Sequence, residues 1–266
     1  MLSVGALMMA FSPWMVAVDA VDASPIVATY QEGVGGYAMA GAGIRDGTST
    51  LINWGTNEGY VVGWTAAGTV LRAVFDWTLT GIPDNAIVTD VTINYSKGTD
   101  STSINASANL YLHSLTAAFT EGTSTGNAPD NVPGFAVNWI NRIEAGANDV
   151  PWTTPGGDFA PAVLAQVATN PTTITAFSFS GSGAANPLVA AVQAAITNQT
   201  SFSYLLKSDE TLGGSRVVFQ IRSDNYMPSI NDRPQLSVTY IIPEPASLAL
   251  LGMAGVLMLS ARRQRN

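Results

Sequence analysis

The feature that most constrains the fold is an alternation of apolar and polar residues between positions 70 and 79. Successive side chains of a β-strand point to opposite faces of a sheet, so an apolar residue at every second position predicts a half-buried strand. The run from 90 to 95 alternates in the same way and predicts a second strand. The apolar face of the first strand consists of Leu71, Ala73, Phe75, Trp77 and Leu79.

Short runs of this kind continue from residue 26 to residue 240, separated by turns rich in Gly, Pro and Asn. Many short strands with such turns are typical of antiparallel β-sandwiches. We therefore expect an all-β fold, an antiparallel jelly-roll sandwich that spans residues 24–240 and carries one short helix. The remaining predicted strands are 60–64, 109–115, 173–179, 202–206, 217–221 and 236–241.

The helix is predicted from its cap and its periodicity. Asn186 is a favoured N-cap residue, and Pro187 suits the first helical turn. An apolar stripe at helical spacing follows and stops near Asn198, so we expect the helix to lie over an open end or a face of the sandwich. The stripe consists of Leu188, Val189, Val192, Ala195 and Ile196.

The amino-acid composition argues against several classes of function and site. The 266 residues carry a net charge of -8, and 11% of them are charged, against about 25% in ordinary soluble proteins. Lys97 and Lys207 are the two lysines and form no basic stripe, which argues against nucleic-acid binding. The absence of cysteine excludes disulfides and thiolate chemistry, and His113 as the single histidine excludes a histidine-rich metal site within one chain.

Residues 1–23 are interpreted as a secretory signal peptide. Positions 1–18 are almost entirely apolar or small, and two Val-Asp-Ala triplets follow, each with a small residue suited to signal peptidase. No Lys or Arg precedes Arg45, so the usual basic opening segment is missing and we expect the true start to lie upstream. A buried N-terminal helix is the alternative interpretation.

Residues 241–266 combine a Pro-Glu-Pro turn, an uncharged apolar stretch at 246–261 and a cluster of arginines. As a helix the stretch would span roughly 24 Å, less than a hydrocarbon core of about 30 Å, and snorkelling arginines could cover the difference. Pro243 and Pro245 favour extended backbone before them, which a protease cleft can bind. The stop-transfer residues are Arg262, Arg263 and Arg265.

This arrangement resembles the PEP-CTERM sorting signal of exported bacterial proteins, with Pro243, Glu244 and Pro245 as the sorting motif. The resemblance implies that the secretion machinery and an exosortase, a membrane transpeptidase-like protease, are partners of the chain. It also implies transient membrane insertion of the helix, followed by release or attachment at the cell surface, the outer membrane or the extracellular matrix. A plain C-terminal membrane anchor is the alternative.

The body between these segments resembles DNRLRE-type domains. Stretches at 53–55 and 71–76 look like the opening of that family, 152–159 looks like its central loop, and 202–207 and 233–240 look like its last strands. The resemblance implies a jelly-roll β-sandwich that serves as a non-catalytic, carbohydrate-binding-like module of secreted polysaccharide-acting or surface proteins. We expect no catalytic domain beside it in this chain.

Loop tryptophans are candidate sugar platforms, because the CH faces of sugars pack on indole rings; packing beneath a loop is the alternative for each. Asp209, Glu210 and Asp224 could supply oxygen ligands to calcium, but their spacing matches no calcium motif, so we assign no metal site and no other cofactor. The candidate ligand-binding residues are Trp54, Trp64, Trp139 and Trp152.

No catalytic residue is assigned. Arg72 and Asp76 share a strand face and are expected to form a polar pair, whereas His113 and Ser114 point to opposite faces of one strand and cannot act as base and nucleophile. Glycoside hydrolysis needs two carboxyl groups at a set separation, which a sequence does not show. The available carboxylates include Glu32, Glu58, Asp76, Glu121, Asp158 and Asp209.

These observations favour a non-catalytic exported protein that associates with polysaccharide at the cell surface or in the extracellular matrix. One alternative is an extracellular carbohydrate-active hydrolase or lyase, which two buried carboxyl groups facing each other in a cleft would favour. The other is a structural or adhesive matrix component, which flat polar faces without a pocket would favour.

Overall fold

The computed structural model describes residues 24–47, 50–65, 67–98, 108–126, 136–143, 148–170, 175–210 and 217–243. The predicted signal segment 1–23 lies outside the described residues. So do Glu244, Pro245, the apolar stretch and the three terminal arginines. In the part that the structure describes, no helix is both long enough and apolar enough to cross a bilayer.

Antiparallel strands dominate the described residues, together with one α-helix, α1 (Pro187–Thr197). A 3-10 turn at Ile230–Asp232 precedes the last strand. The strands are β1 (Ile26–Gln31), β2 (Ala40–Arg45), β3 (Gly59–Trp64), β4 (Val70–Trp77), β5 (Ile87–Ser96), β6 (Ala108–Leu115), β7 (Asn141–Ile143), β8 (Val150–Pro151), β9 (Phe159–Thr169), β10 (Ala176–Ser182), β11 (Phe202–Ser208), β12 (Val217–Arg222) and β13 (Gln235–Ile241).

The strands form two large sheets and one small ribbon. The smaller of these two sheets has four strands in the order β1-β13-β5-β10. The larger has seven strands, in the order β12-β3-β4-β11-β6-β9 with β2 also paired to β4. Strands β7 and β8 form the ribbon. All of these pairs are antiparallel, and β1 lies beside β13 with Ile26 opposite Tyr240.

The two large sheets pack face to face through aromatic rings. Tyr95 of β5 meets Phe75 of β4 with ring centroids 5.6 Å apart, and Phe177 of β10 meets Phe219 of β12 at 5.4 Å. The predicted inward face of β4 is confirmed at Ala73, Phe75 and Trp77, which are fully buried in this core. Leu79 packs against it partly buried, and Leu71 is buried outside it. We call this region the inter-sheet core.

A second apolar cluster lies on the opposite face of the larger sheet. Val74, the outward neighbour of Phe75 on β4, is fully buried there beneath loop residues. We call this the outer-face cluster. Its buried members are Ala42, Ile44, Val74, Val137, Trp152 and Leu205.

Helix α1 closes the inter-sheet core, and its prediction is confirmed in detail. The side chain of Asn186 accepts hydrogen bonds from the amides of Leu188 and Val189, and Asn198 is the C-cap. Gln193 ties the helix to β5, since its side chain accepts from the amide of Val88 and donates to the carbonyl of Ala86. All five residues of the predicted stripe are buried.

Candidate functional site

The outer-face cluster is covered by the long connection between β6 and β9. Its described parts, 116–126, 136–143 and 148–158, form backbone hydrogen bonds to one another and to the connection between β2 and β3. The amide of Trp139 donates to the carbonyl of Thr50 at 3.0 Å, and the amide of Gly156 donates to the carbonyl of Trp139 at 2.6 Å. We call this connection the outer-face loop.

Asn53 anchors the outer-face loop from below. It is fully buried, and its side-chain amide donates to the carbonyls of Glu121 at 2.6 Å and Val137 at 2.7 Å. Its side-chain oxygen accepts from the amides of Gly55 and Ser124. One buried side-chain amide therefore forms hydrogen bonds with four backbone groups. Buried backbone groups nearly always have a hydrogen-bond partner, and here Asn53 supplies it.

Aromatic rings and cations meet where the loop crosses β4 and β11. The guanidinium carbon of Arg72 lies 4.9 Å from the ring centroid of Trp139 and 5.4 Å from that of Phe159. The ammonium of Lys207 lies 5.6 Å from the centroid of Phe159. These distances are typical of cation–π contacts. We call the following five residues the aromatic–cation group: Arg72, Trp139, Phe159, Lys207 and Glu210.

Glu210 pairs with both cations of this group. Its carboxylate accepts from Arg72 Nε at 2.8 Å and Nη2 at 2.9 Å, and lies 2.9 Å from Lys207 Nζ. Burial alone would raise the pKa of Glu210, but the hydrogen bonds and charges of Arg72 and Lys207 outweigh burial and hold that pKa below its ordinary value. Glu210 is therefore ionised at neutral pH.

An open depression of about 670 Å³ lies beside the aromatic–cation group, and Phe159 forms part of its wall. The carboxylate of Asp158 accepts from the amides of Thr153 and Thr154, both at 2.8 Å. Burial would raise the pKa of Asp158, but these amide bonds outweigh it and lower that pKa. The depression is lined by Thr116, Ala117, Thr153, Thr154, Gly157, Asp158, Phe159 and Pro161.

The four candidate tryptophans occupy different environments. Trp139 is half-buried in the aromatic–cation group, whereas Trp152 is 3% exposed and its Nε1 donates to the carbonyl of Asn138. Trp54 packs under the loop, because a Cβ at Gly126 would lie 2.6 Å from its ring. Trp64 is half-buried at the end of β3. The structure thus brings Trp139 next to the depression.

The expected pairing of Arg72 with Asp76 is wrong. Arg72 reaches across to Glu210, and Asp76 accepts a hydrogen bond from Ser203 on the neighbouring strand β11. Neither partner is close in sequence to β4, so local spacing gave no signal for either contact.

His113 has a structural environment. Its Nδ1 lies 3.1 Å from the carbonyl oxygen of Ala160, and its ring centroid lies 5.1 Å from that of Phe159. Burial is the main cause that lowers the pKa of His113, so the imidazole is neutral at pH 7. It supports Phe159 from below.

A buried acid pair joins the outer-face loop to the end of β12. Glu121 and Asp224 are hydrogen-bonded to each other, Asp224 is 1% exposed, and its Oδ1 accepts from Tyr60 Oη at 2.7 Å. Asn225 Nδ2 donates to Glu121 Oε1 at 2.8 Å. We call Glu121 and Asp224 the acid pair. The two residues are far apart in sequence, and their proximity was not predicted.

The acid pair retains a proton near neutral pH. Burial, followed by the charge of Asp224, raises the pKa of Glu121. Burial also raises the pKa of Asp224, although the hydrogen bond from Tyr60 opposes that rise. Glu121 is therefore the protonated member, which donates to the Asp224 carboxylate.

The residues suggested for calcium serve other contacts. Glu210 binds Arg72 and Lys207, Asp209 accepts from Tyr111, and Asp224 accepts from Tyr60. Within the described ranges, no three His, Asp or Glu side chains come close enough together to hold a metal ion.

The chain matches no protein-family model, and no curated protein matches it significantly.

Proposed function

We propose that the chain is an exported, non-catalytic bacterial protein that associates with polysaccharide at the cell surface or in the extracellular matrix. Its body is a DNRLRE-like jelly roll, and its C-terminal PEP-CTERM signal is processed by an exosortase. The outer-face depression and the adjoining Trp139 and Phe159 rings form the polysaccharide-binding surface. Support for this proposal comes from the two terminal sequence patterns and from the geometry of the outer face.

The observation that carries the binding proposal is the position of Phe159. Its half-buried ring lines the open depression and is braced by Arg72, Lys207 and His113. A ring that its neighbours already hold in place can pack against the CH face of a sugar with little further loss of side-chain entropy on binding. Threonine hydroxyls and an ionised carboxylate around it can hydrogen-bond sugar hydroxyls.

The strand order supports processing at both ends. Ile26 of β1 lies opposite Tyr240 of β13 at one edge of the smaller sheet. Position 24 comes just before β1 and position 243 just after β13, so both lie beside this pair of strands. Cleavage after residue 23 and at the Pro-Glu-Pro motif would remove no residue of either strand.

The binding proposal is tested by measuring the affinity of the purified protein for a panel of polysaccharides, with and without EDTA. Thr154→Trp should fill the depression from an exposed position and weaken glycan binding by about tenfold or more. Trp64→Ala, a half-buried tryptophan outside the depression, is the matched control and should retain binding. Failure of the protein to bind any glycan would favour the structural or adhesive alternative.

The sorting proposal has a separate test in the producing bacterium. Replacing Pro243, Glu244 and Pro245 by alanine should leave the larger, uncleaved form in the membrane fraction, because helix-forming alanines no longer keep the cleavage segment extended. Unchanged processing of this variant would contradict the sorting proposal.

The second candidate function is an extracellular carbohydrate-active enzyme, and the acid pair is the observation that favours it. A protonated Glu121 beside an ionised Asp224 has the protonation states of a general acid and a base or nucleophile. However, the two carboxyl groups are hydrogen-bonded to each other, which is closer than the separation of about 5 to 9.5 Å that glycosidases use, and Asp224 is enclosed by Tyr60 and the backbone of Gly41. Release of reducing sugar by the wild-type protein, abolished in Asp224→Asn, would establish the enzyme and overturn the non-catalytic proposal.

A further inference from the structure

The cations beside the depression are already occupied by groups of this chain. Arg72 donates through Nε and Nη2 to Glu210 and through Nη1 to the carbonyl of Gly156 at 2.7 Å. Its guanidinium plane also faces the ring of Trp139. All three guanidinium nitrogens therefore have a partner, and a bidentate carboxylate ligand would have to displace Glu210.

Lys207 is held by the same carboxylate. Its ammonium lies 2.9 Å from Oε2 of Glu210, which is three positions later in the chain. One glutamate thus serves two cations whose side chains are largely buried. Because Glu210 is ionised and enclosed, it competes with any incoming carboxylate for both cations.

The other described charges around the depression are of both signs. Asp158 lies in its wall, and the charge of Arg142, whose Nη1 donates to the carbonyl of Ala118, lowers the pKa of Asp158. Beside Glu210 in sequence, Asp209 accepts from Tyr111 Oη at 2.9 Å. Among these described residues, the cations Arg72, Lys207 and Arg142 are matched by the carboxylates Glu210, Asp209 and Asp158, so the face offers a polyanion no excess of positive charge.

We propose that the outer face selects uncharged polysaccharides, and that Glu210 is the residue that excludes polyuronates by occupying Arg72 and Lys207. This inference rests on the proposed polysaccharide-binding function and names the substrate class of the same surface. Threonines, Phe159 and backbone groups offer hydroxyl and CH contacts to neutral sugars, while the cations stay engaged within the protein.

The test measures affinities of the purified full chain for neutral glycans, such as a β-glucan and a mannan, and for polyuronates, polygalacturonate and alginate. EDTA is present throughout, so that calcium cannot bridge two carboxylates. Wild-type protein should bind at least one neutral glycan about tenfold or more tightly than either polyuronate. Raising the salt concentration should change the neutral-glycan affinity little, because that contact uses no free charge.

Glu210→Gln is the decisive variant, since it keeps the shape of the side chain and removes its charge. The ratio of polyuronate affinity to neutral-glycan affinity should rise about tenfold, and the gained polyuronate binding should weaken with salt. Asp209→Asn is the matched control: it removes one neighbouring negative charge without freeing Arg72, so its ratio should rise less than about threefold.

Each outcome decides between the two proposals. A wild-type protein that binds polyuronates as tightly as neutral glycans overturns the neutral selectivity and leaves the proposed function standing. Equal gains in Glu210→Gln and Asp209→Asn, or no gain in either, overturn the role of Glu210. Absence of binding to every glycan overturns the proposed function itself. Should Glu210→Gln fail to fold by circular dichroism, the wild-type selectivity and its salt response still decide whether the outer face selects neutral glycans.

Discussion

The inter-sheet core and the outer-face cluster lie on the two sides of one strand, yet they are built differently. Phe75 of β4 packs inward against Tyr95 of the opposing sheet, and both come from alternating strand patterns. Val74, the adjacent residue, is equally buried but packs beneath residues of a long loop, among them Val137 and Trp152. One side is closed by a second sheet and the other by irregular chain.

The difference lies in what holds each side closed. Rings and aliphatic side chains fill the inter-sheet core, whereas the outer-face loop depends on polar anchors: Asn53 beneath it, the acid pair at one edge and Glu210 at another. Loops that carry polar groups at a surface are where binding sites are normally found. The outer face therefore combines a floor of sheet with a cover that polar contacts hold in place.

The largest expected effect is on the inter-sheet core. Phe75→Ala should lower the free energy of unfolding by about 3–5 kcal/mol, because it removes a fully buried ring and leaves a cavity. Val74→Ala, on the other side of the same strand, should cost about 2 kcal/mol, because it removes two methyl groups. Chemical denaturation of both variants measures the difference. Equal losses would mean that the outer face loses more free energy per buried carbon atom than the inter-sheet core.

Loss of the Asn53 anchor should come next. Asn53→Ala leaves the buried carbonyls of Glu121 and Val137 without their donor, and we expect a loss of about 2–3 kcal/mol in the free energy of unfolding. Amide hydrogen exchange at Gly55 and Ser124 should accelerate, since both amides donate to this side chain. Asn57→Ala is the control, because its side-chain contacts are more exposed and its loss should cost less.

The acid pair makes stability depend on pH. The pKa of Glu121 is raised by burial and by the charge of Asp224, so the folded state binds a proton that the unfolded state releases. This contribution is fully present below the ordinary carboxyl pKa. It is lost as pH rises through the raised pKa of Glu121, at no more than about 1.4 kcal/mol per pH unit for one proton.

Glu121→Gln tests this directly, because an amide can donate to Asp224 at any pH. Denaturation between about pH 5 and about pH 9 should show falling stability in the wild type and a flatter curve in the variant. Glu58→Gln, at an exposed position, should retain the wild-type slope. A wild-type protein whose stability is constant over this range would show that the pair carries no excess proton.

The smallest expected effect concerns the cap of α1. Asn186→Ala removes the side-chain acceptor of two helical amides and should cost about 1 kcal/mol, measured as a lower thermal midpoint. Because α1 closes the inter-sheet core, the proposed glycan binding at the outer face should not change in this variant. A change in glycan affinity in this variant would mean that the two sides are coupled through the sandwich.

Local periodicity was enough to predict most of the elements that build the inter-sheet core, although β1 and β9, which contribute Tyr30 and Leu164, were missed. The inward face of β4 and all five buried residues of α1 follow from the apolar spacing alone. The predicted strand at 173–179 corresponds to the strand described at Ala176–Ser182, where Phe177 and Phe179 point into the core; positions 173 and 174 lie outside the described residues. Side chains that alternate between solvent and core leave a pattern in sequence, which is why these elements were found.

Strands without that pattern were missed. Strand β9 begins Phe-Ala-Pro and contains good helix formers, but it lies at the edge of the larger sheet, where Pro161 costs no ladder hydrogen bond. Strand β2 is rich in glycine because neighbours crowd it: a Cβ at Gly41 would lie 2.6 Å from Asp224 Oδ1. Glycine has no side chain beyond a hydrogen atom, so it contributes nothing to a pattern of alternating apolar and polar residues.

The candidate site was predicted only in part. Trp139 was named as a ligand-binding candidate and lies beside the depression, but Phe159, Arg72 and Glu210 received no such role. Their meeting depends on how the outer-face loop folds back and on the pairing of β11 with β4, both of which are long-range contacts. The order of residues along the chain carries little information about contacts of that kind.

The pairing of β1 with β13 has a consequence for protein engineering. Ile26 and Tyr240 are directly opposite, so their Cα atoms lie only about 5 Å apart, and a few glycines could join the two strands covalently. New chain ends could then be opened in the turn at 81–84, between β4 and β5. Such a circular permutant should keep both sheets, and its free ends would be available for fusion to other proteins.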